Sequence, residues 1–378
     1  MVKPIMKAKN LTKYFEISQS FMDKLQFKPK QYVKAVDGID FEIYPKKTMA
    51  LVGESGCGKT TVGKLAMRLL DLTDGQLIMK GKDVSQLQSS AELKAYRRTT
   101  QMIYQDPFSS LDPRYKTMNI LEEPMLIHGI GGNIDERKEI IKEALEEVRL
   151  TPPEEFIDRF PHMLSGGQRQ RVAIARALIL KPDFIVADEP VSMLDVSVRA
   201  ELLNLMKDLI EEEDLTYLYI THDISTTRFF CDDIGVMYLG DLVEKGPVGE
   251  VLDNPLHPYT QALLTAVPEP DPDRVDKVKK VPIKGEIPSA TNIPSGCRFH
   301  PRCPYAKKIC AKKSPPDKEP AEKGHFAKCH FAGEIEFKLR VAKLSDKGDV
   351  EKVEEMKPDE IAEHVVSGQS KKLKLKDG

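Results

Sequence analysis

Apolar positions recur along this chain in two rhythms. Residues 7–15 and 39–44 alternate apolar with polar, the period of a half-buried strand. Thr48–Val52, Phe184–Ala187 and Tyr217–Thr221 are short unbroken apolar runs, followed by Gly53, Asp188 and His222, as expected of strands buried on both faces of a parallel sheet. Between them lie stripes of helical period. One runs from about Lys59 to Leu70. A second, over 135–150, puts Ile140, Ile141, Ala144, Leu145 and Val148 on one face. A third runs from Gly166 to Leu180 and stops at Pro182, and a fourth follows a cap at Asp195 and carries Val198, Leu202, Leu205 and Leu209. Gly235–Lys245 predicts a hairpin around Gly240-Asp241. Alternating strands and helices predict an α/β fold with a parallel sheet and crossover helices.

The stretch from about 106 to 180 is mostly helical and predicts a helical subdomain. Glu16 to Lys34 is read as a surface loop carrying Phe21, Met22, Leu25 and Phe27. Pro268 to Pro294 is rich in Pro and charge, the mark of a linker. Glu334–Leu344 alternates through Ile335, Phe337, Leu339 and Val341, which predicts an edge strand; the charged end from Ser345 is expected to be flexible or weakly helical.

Composition narrows the class. The 378 residues give room for two domains, and 57 Lys and Arg against 59 Asp and Glu leave a net charge of −2, which argues against a dedicated nucleic-acid binder. A charged fraction of 31% without Trp is compatible with a heat-adapted source. No apolar run reaches the roughly 18 residues of a membrane span, and Met1-Val2-Lys3-Pro4 leads into no long apolar core. The expectation is a protein of the cytoplasm, reaching a membrane only through other subunits. Of six cysteines, Cys57 and Cys231 stand apart, while Cys297, Cys303, Cys310 and Cys329 crowd together, which favours metal over disulfide in such a compartment.

The chemistry centres on phosphate. Gly53-Glu54-Ser55-Gly56-Cys57-Gly58-Lys59-Thr60-Thr61 follows a predicted strand and opens a predicted helix, the setting in which a Gly-x4-Gly-Lys-Thr loop cradles phosphates on backbone N–H groups. Lys59 supplies a point charge and the Thr60 hydroxyl a ligand for Mg²⁺. Cys57 reads as a small filler. Asp188 ends an apolar strand within reach of the same metal, and Glu189 is the candidate base that orients a water; the bland alternative is an acidic pair capping a turn. Gln105, after another apolar stretch, can hold the metal or its water, and His222 can hold Glu189 and a γ-phosphate. Leu164-Ser165-Gly166-Gly167-Gln168 opens a helix as an anion site with no lysine, too weak to hold ATP alone and suited to be half of a composite site. Arg169 and Arg171 read as structural.

In this order, these motifs resemble the ABC ATPases from about Ile5 to Leu264. The resemblance implies a RecA-like parallel core, an antiparallel β subdomain and a helical subdomain, with ATP held between two chains. It implies adenine stacking near Tyr14, with Phe15 the better match, a Q-loop at Gln105, a signature at Leu164–Gln168, a D-loop at Ser192-Met193-Leu194-Asp195 with Met193 where Ala is usual, and a switch at His222. Gln105-Asp106-Pro107-Phe108-Ser109-Ser110-Leu111-Asp112-Pro113-Arg114, Asn254-Pro255-Leu256-His257-Pro258-Tyr259-Thr260 and Phe299-His300-Pro301-Arg302-Cys303-Pro304 are similar to the second ATPase subunit of dipeptide/oligopeptide importers. That implies a paralogous ATPase partner, two membrane permease subunits and an extracellular substrate-binding protein, with no nucleic acid. It divides the chain into a cassette at 1–266, an importer-type C-terminal region at 267–332 and an extension at 333–378. Related machines carry oligosaccharides or nickel, and a rival of another class is a soluble ABC ATPase.

The four clustered cysteines are spaced by 5, 6 and 18 residues. Four thiolates suit Fe–S or zinc, and the resemblance implies a [4Fe–4S] cluster; His300, His325 and His330 keep zinc open as spare ligands, and buried reduced thiols are the metal-free alternative. Glu286, Pro288 and Pro294 are read as structural.

Overall fold

The computed structural model describes residues 2–19, 25–27, 29–266, 283–320, 324–335, 339–344, 350–356 and 373–375. Its contacts divide it into two units: Met1–Tyr14 with Ala35–Leu51 and Gly58–His222, and Phe15–Lys34 with Val52–Cys57 and Asp223–Gly378.

In the first unit, the predicted alternating strands appear as β1 (Met6–Glu16) and β2 (Tyr32–Ile43), and β3 is Thr48–Val52. Helix α1 (Lys59–Ala66) ends four residues earlier than predicted, because Arg68 turns into the left-handed region with φ 51 and diverts the chain. Strands β4 (Asp74–Met79) and β5 (Lys82–Asp83), unforeseen in the sequence, complete an antiparallel sheet in the order β2-β1-β4-β5. Helix α2 (Ser90–Thr99) is fixed at its start by a Ser89/Glu92 capping box and leads to β6 (Thr100–Ile103). The next stretch is helical, as expected: α3 (Thr117–His128), α4 (Ile134–Glu147, capped by Asn133) and α5 (Gly166–Leu178). Then come β7 (Phe184–Asp188), α6 (Val196–Glu212, capped by the Asp195 side chain) and β8 (Thr216–Thr221).

Strands β6, β7 and β8 pair in parallel, in the order β3-β8-β7-β6, and every residue of β3, β7 and β8 is buried. Each large aliphatic or aromatic side chain buried there is worth about 1.5–3 kcal/mol. These are the continuous apolar runs of the sequence, and their C-terminal ends present Asp188, Glu189 and His222 along one edge. Gly63 lets α1 lie on this sheet: a Cβ there would meet Ile220 and Val186 at 2.9 Å.

In the second unit, β9 (Asp233–Tyr238) and β10 (Asp241–Pro247) form the predicted hairpin, turning at Leu239-Gly240, where both residues have positive φ. Helices α7 (Val248–Asp253) and α8 (Pro258–Thr265) follow. The cysteine segment carries a short helix, α9 (Lys308–Lys312), and strands β11 (Asp317–Lys318) and β12 (Phe326–Lys328), the latter pairing with β10. The strand predicted over Glu334–Leu344 is β13 (Leu339–Leu344), and it is the central strand of its sheet, not an edge as expected, because distant segments pair on both its sides. The expectation of a flexible or weakly helical end fails for Val350–Met356 (β14) and Leu373–Leu375 (β15), which flank β13 in an antiparallel sheet. Their pairing is supplied by β13, a partner distant in sequence, so no local period announced it. Residues 268–282 of the predicted linker, Phe21 and Met22, and Phe337 of the predicted strand lie outside the described residues.

Candidate nucleotide-binding site

The phosphate loop takes the backbone its glycines allow. Gly53, Gly56 and Gly58 have φ of 152, 78 and 113, all unfavourable for residues with a Cβ. At Gly53 a Cβ would lie 2.3 Å from the Met237 carbonyl oxygen and 2.8 Å from the Cys57 sulfur, so Cys57 is the buried filler expected. Ser55 and Gly56 stay exposed at the loop's crest. Gly58 is the N-cap of α1 and provides no side-chain cap, so the helix's first N–H groups are left for an anion. Lys59 is buried, and Thr61 is half-buried one residue beyond Thr60.

Within the first unit the metal-side groups meet. The Thr60 hydroxyl donates to an Asp188 carboxylate oxygen at 3.2 Å. Burial raises the Asp188 pKa, opposed chiefly by the Thr60 hydrogen bond, so the site gains by placing a cation beside it. Glu189 lies in left-handed backbone (φ 49), an outlier for a residue with a Cβ, held by its N–H to the Ile220 carbonyl at 2.8 Å. Its Oε2 accepts from the Gln105 amide at 2.8 Å and pairs with His222 Nδ1 at 2.9 Å. Two side chains, each beyond a different strand end, thus converge on one carboxylate oxygen that itself follows a third. A carboxylate fixed through one oxygen can orient a water with the other, and an amide that donates through its nitrogen can offer its oxygen to a cation or its hydration shell.

The signature lies at the start of α5. Ser165 Oγ accepts from the Gln168 N–H at 3.2 Å, and Gln168 Oε1 accepts from the Ser165 N–H at 3.0 Å, a reciprocal cap. The cap leaves the N–H groups of Gly166 and Gly167 without an intrahelical acceptor at the helix start. Leu164 is buried beneath them, and Gly167 packs so closely on α6 that a Cβ would meet Val198 Cγ1 at 2.6 Å. Arg169 and Arg171 are structural as read: they donate to the carbonyls of Pro161 and Val148. Phe15, near the end of β1, is 37% exposed. Met193 of the D-loop is exposed.

A groove lies beside the Gln105 loop. A cavity of about 320 Å³ is lined by Leu69, Tyr104, Pro124, Ile127 and Arg176, and one of about 430 Å³ by Tyr115, Leu126, Ile127 and Arg176. Tyr104, Tyr115, Leu126 and Ile127 are between 40% and 58% exposed, a concentration of apolar surface that a lone soluble chain rarely keeps.

The cysteine segment departs from expectation. Among the described residues, no group of three or more His, Cys, Asp or Glu is arranged to hold a metal ion. Burial first, and then the neighbouring Cys329, Cys310 and Cys303, push Cys297 up to about 12. Cys303 is raised to about 11, and Cys329 is also raised, both by burial first. Backbone N–H groups of Phe299, Tyr305 and Phe331 bond the sulfurs of Cys297, Cys303 and Cys329. The donor chemistry therefore suits a soft metal, but the sulfurs as placed do not form a closed set. The histidines expected as spare ligands each have a ring nitrogen committed: His300 to the Cys297 carbonyl, His330 to the Lys313 carbonyl, and His325 to the buried Glu244 at 2.6 Å.

Sequence reading missed Glu244, which also accepts the N–H groups of Leu256 and His257 at 2.7 and 2.9 Å. It missed Tyr259 and the pair Glu54–Arg302 as well. An acidic residue at an alternating strand position gives no sign that its partners lie 12 and 81 residues on.

Residues 36–192 match the family described as ABC transporter, and residues 243–310 match the C-terminal region of oligopeptide/dipeptide transporters. The oligopeptide transport ATP-binding protein AppF of Bacillus subtilis is 47% identical over 86% of this chain and 97% of its own length. The dipeptide transport ATP-binding protein DppF of Haemophilus influenzae is 46% identical over 82% of this chain and 92% of its own. Among solved structures, the dimeric ATP-binding cassette MJ0796 in a post-hydrolysis state with ADP and Pi superposes with a TM-score of 0.55 at 28% identity, covering 64% of this chain and 98% of that one. CbiO1 of Clostridium perfringens, part of an ABC transporter complex, gives 0.55 at 25% identity over 66% of this chain and 90% of that one.

Proposed function

The chain belongs to the ATP-binding subunits of ABC transporters of the oligopeptide/dipeptide group and is an ATPase, and from that premise we propose that it drives the uptake of di- and oligopeptides. The observation that carries the mechanism is the convergence of Gln105 and His222 on one oxygen of Glu189, one residue after an Asp188 bonded to Thr60.

The loop from Gly53 to Thr61 binds the phosphates, Lys59 offsets their charge, and Phe15 stacks on the base. Mg²⁺, expected of this family, would be held by Thr60 and Asp188 and would supply charge neutralisation across the β- and γ-phosphates. Gln105 and His222 fix the Glu189 carboxylate, which orients the attacking water through its second oxygen. Ser165, Gly166, Gly167 and Gln168 of one chain close on the γ-phosphate held by another. We take that other chain to be a paralogous ATPase.

Two membrane permease subunits follow from the importer role, and the apolar groove at Tyr104, Leu126 and Ile127 is the surface we assign to them. It would hold this subunit at the inner face of the cell membrane. An extracellular substrate-binding protein would deliver the cargo. We read 1–266 as the cassette, with its helical subdomain at about 106–180, and 267–332 and 333–378 as appended regions. Among the described residues no helix is long and apolar enough to cross a membrane, in keeping with attachment through partners. For Cys297, Cys303, Cys310 and Cys329 we propose a [4Fe–4S] cluster, on the chemistry of four thiols in one segment, three of which accept backbone N–H groups. Iron-free, colourless protein prepared without oxygen would remove it.

The test is turnover with trapping. Glu189→Gln is expected to stop ATP hydrolysis while leaving an ATP-bound dimer that survives gel filtration; hydrolysis at the parent rate removes Glu189 from its role. In the reconstituted importer, di- and oligopeptides should stimulate hydrolysis. Stimulation by an oligosaccharide or Ni²⁺ alone would reassign the cargo.

A further inference from the structure

The first half of the phosphate loop, Val52–Cys57, packs within the same unit as the C-terminal segment. Its contacts there are specific. The Glu54 N–H donates to the Tyr259 hydroxyl at 2.8 Å, and Tyr259 is fully buried. The Glu54 carboxylate takes a two-pronged bond from the Arg302 guanidinium, at 2.7 and 3.0 Å. Arg302 is itself buried, stacked with its Cζ 5.7 Å from the Tyr238 ring centre and 6.0 Å from that of Phe299. Such a fork held over aromatic rings has one geometry, so it sets a direction as well as a charge.

The far end of the same half-loop is held indirectly. The Gly240 N–H donates to the Cys57 carbonyl at 2.9 Å. Gly240 lies in the β9–β10 turn, and two further cations hold that turn: Arg298 donates to the Leu239 carbonyl at 2.5 Å, and Lys328 bonds Asp241 at 2.6 Å. The three cations share one feature of sequence. Arg298 follows Cys297, Arg302 precedes Cys303, and Lys328 precedes Cys329.

We propose that Arg302 is a positioning residue for nucleotide binding: it holds the phosphate loop in its phosphate-ready shape through Glu54, with Arg298 and Lys328 steadying the turn that bonds Cys57. The C-terminal segment thereby sets ATP affinity without touching ATP. This deepens the nucleotide-site reading and rests on it. A loop whose N–H groups already point inward binds phosphate without the ordering cost that a slack loop incurs. Each clamping cation adjoins a cysteine, so whatever fixes the cysteines fixes the clamp.

The experiment measures equilibrium binding of a fluorescent ATP analogue, and steady-state hydrolysis, for full-length wild type, Arg302→Gln, Glu54→Gln, the double variant and Lys59→Ala. Arg302→Gln and Glu54→Gln are each expected to weaken nucleotide binding and raise KM about five- to tenfold, with kcat within about twofold and no further loss in the double variant. Lys59→Ala should lose binding outright. Unchanged affinity in Arg302→Gln and Glu54→Gln, with Lys59→Ala defective, overturns the clamp alone. A fall in kcat at constant KM, the pattern of a smaller folded fraction, overturns it too. Full binding by Lys59→Ala overturns the site reading beneath it. If Arg302→Gln does not fold, Glu54→Gln, whose carboxylate is partly exposed, decides between these outcomes.

Discussion

His257 shows how one side chain can hold a local structure and fix a pH limit. Its Nδ1 accepts the Tyr259 N–H at 3.1 Å, capping α8, so it works only as a neutral ring. Full burial pushes its pKa down to about 3. The unfolded chain, with an ordinary histidine, takes up a proton below about pH 6.5 and the folded chain does not. Stability is therefore complete above that pH and falls as pH drops toward 3, by at most about 1.4 kcal/mol per pH unit from this group. Urea unfolding between pH 7 and pH 4 should show a shallower acid loss in His257→Asn, which keeps a capping acceptor but cannot titrate. An unchanged slope would put the loss on other groups. Asn254 to Thr260 was legible in the sequence as a family feature, but the burial that gives His257 this behaviour was not.

At the scale of elements, most of what carries the site could be read directly. Unbroken apolar runs ending in Gly, Asp or His became β3, β7 and β8, because a strand covered on both faces has no polar side to show. The glycines of the loop and the helix start at Ser165–Gly166 were equally plain, whereas the reciprocal cap between Ser165 and Gln168 was not read. What stayed hidden were pairings between distant segments: β4 on β1, β14 and β15 on β13, and the bonds to Glu54 and Glu244. Local period says that a strand exists and is silent about its neighbour. The contact of α5 with α6 gives a sharp test. Gly167→Ala drives a methyl into Val198 and should cost about 1–3 kcal/mol on unfolding, and Val198→Ala in the same chain should recover most of it. If Val198→Ala recovers nothing, the loss comes from elsewhere in the signature helix.

For the whole molecule, the exposed apolar groove is the feature that a solitary chain does not explain. Leu126→Glu and Ile127→Glu change only half-exposed side chains, so ATP binding is expected to stay within about twofold of the parent. Recovery of the permease subunits on affinity purification should fall at least about tenfold, since a charge buried without a partner in an interface is strongly disfavoured. Full recovery would move the docking surface elsewhere. The C-terminal segment has the complementary character: its three cations face inward to the hairpin turn and the loop.

The bonds around Glu189 are made entirely within one chain. On the proposed reading, the serine-glycine turn of a second molecule completes the site. Encounter should therefore set the pace, so at low density the hydrolysis rate should grow with the product of the two partners' concentrations. A membrane that holds both in one assembly removes that dependence altogether.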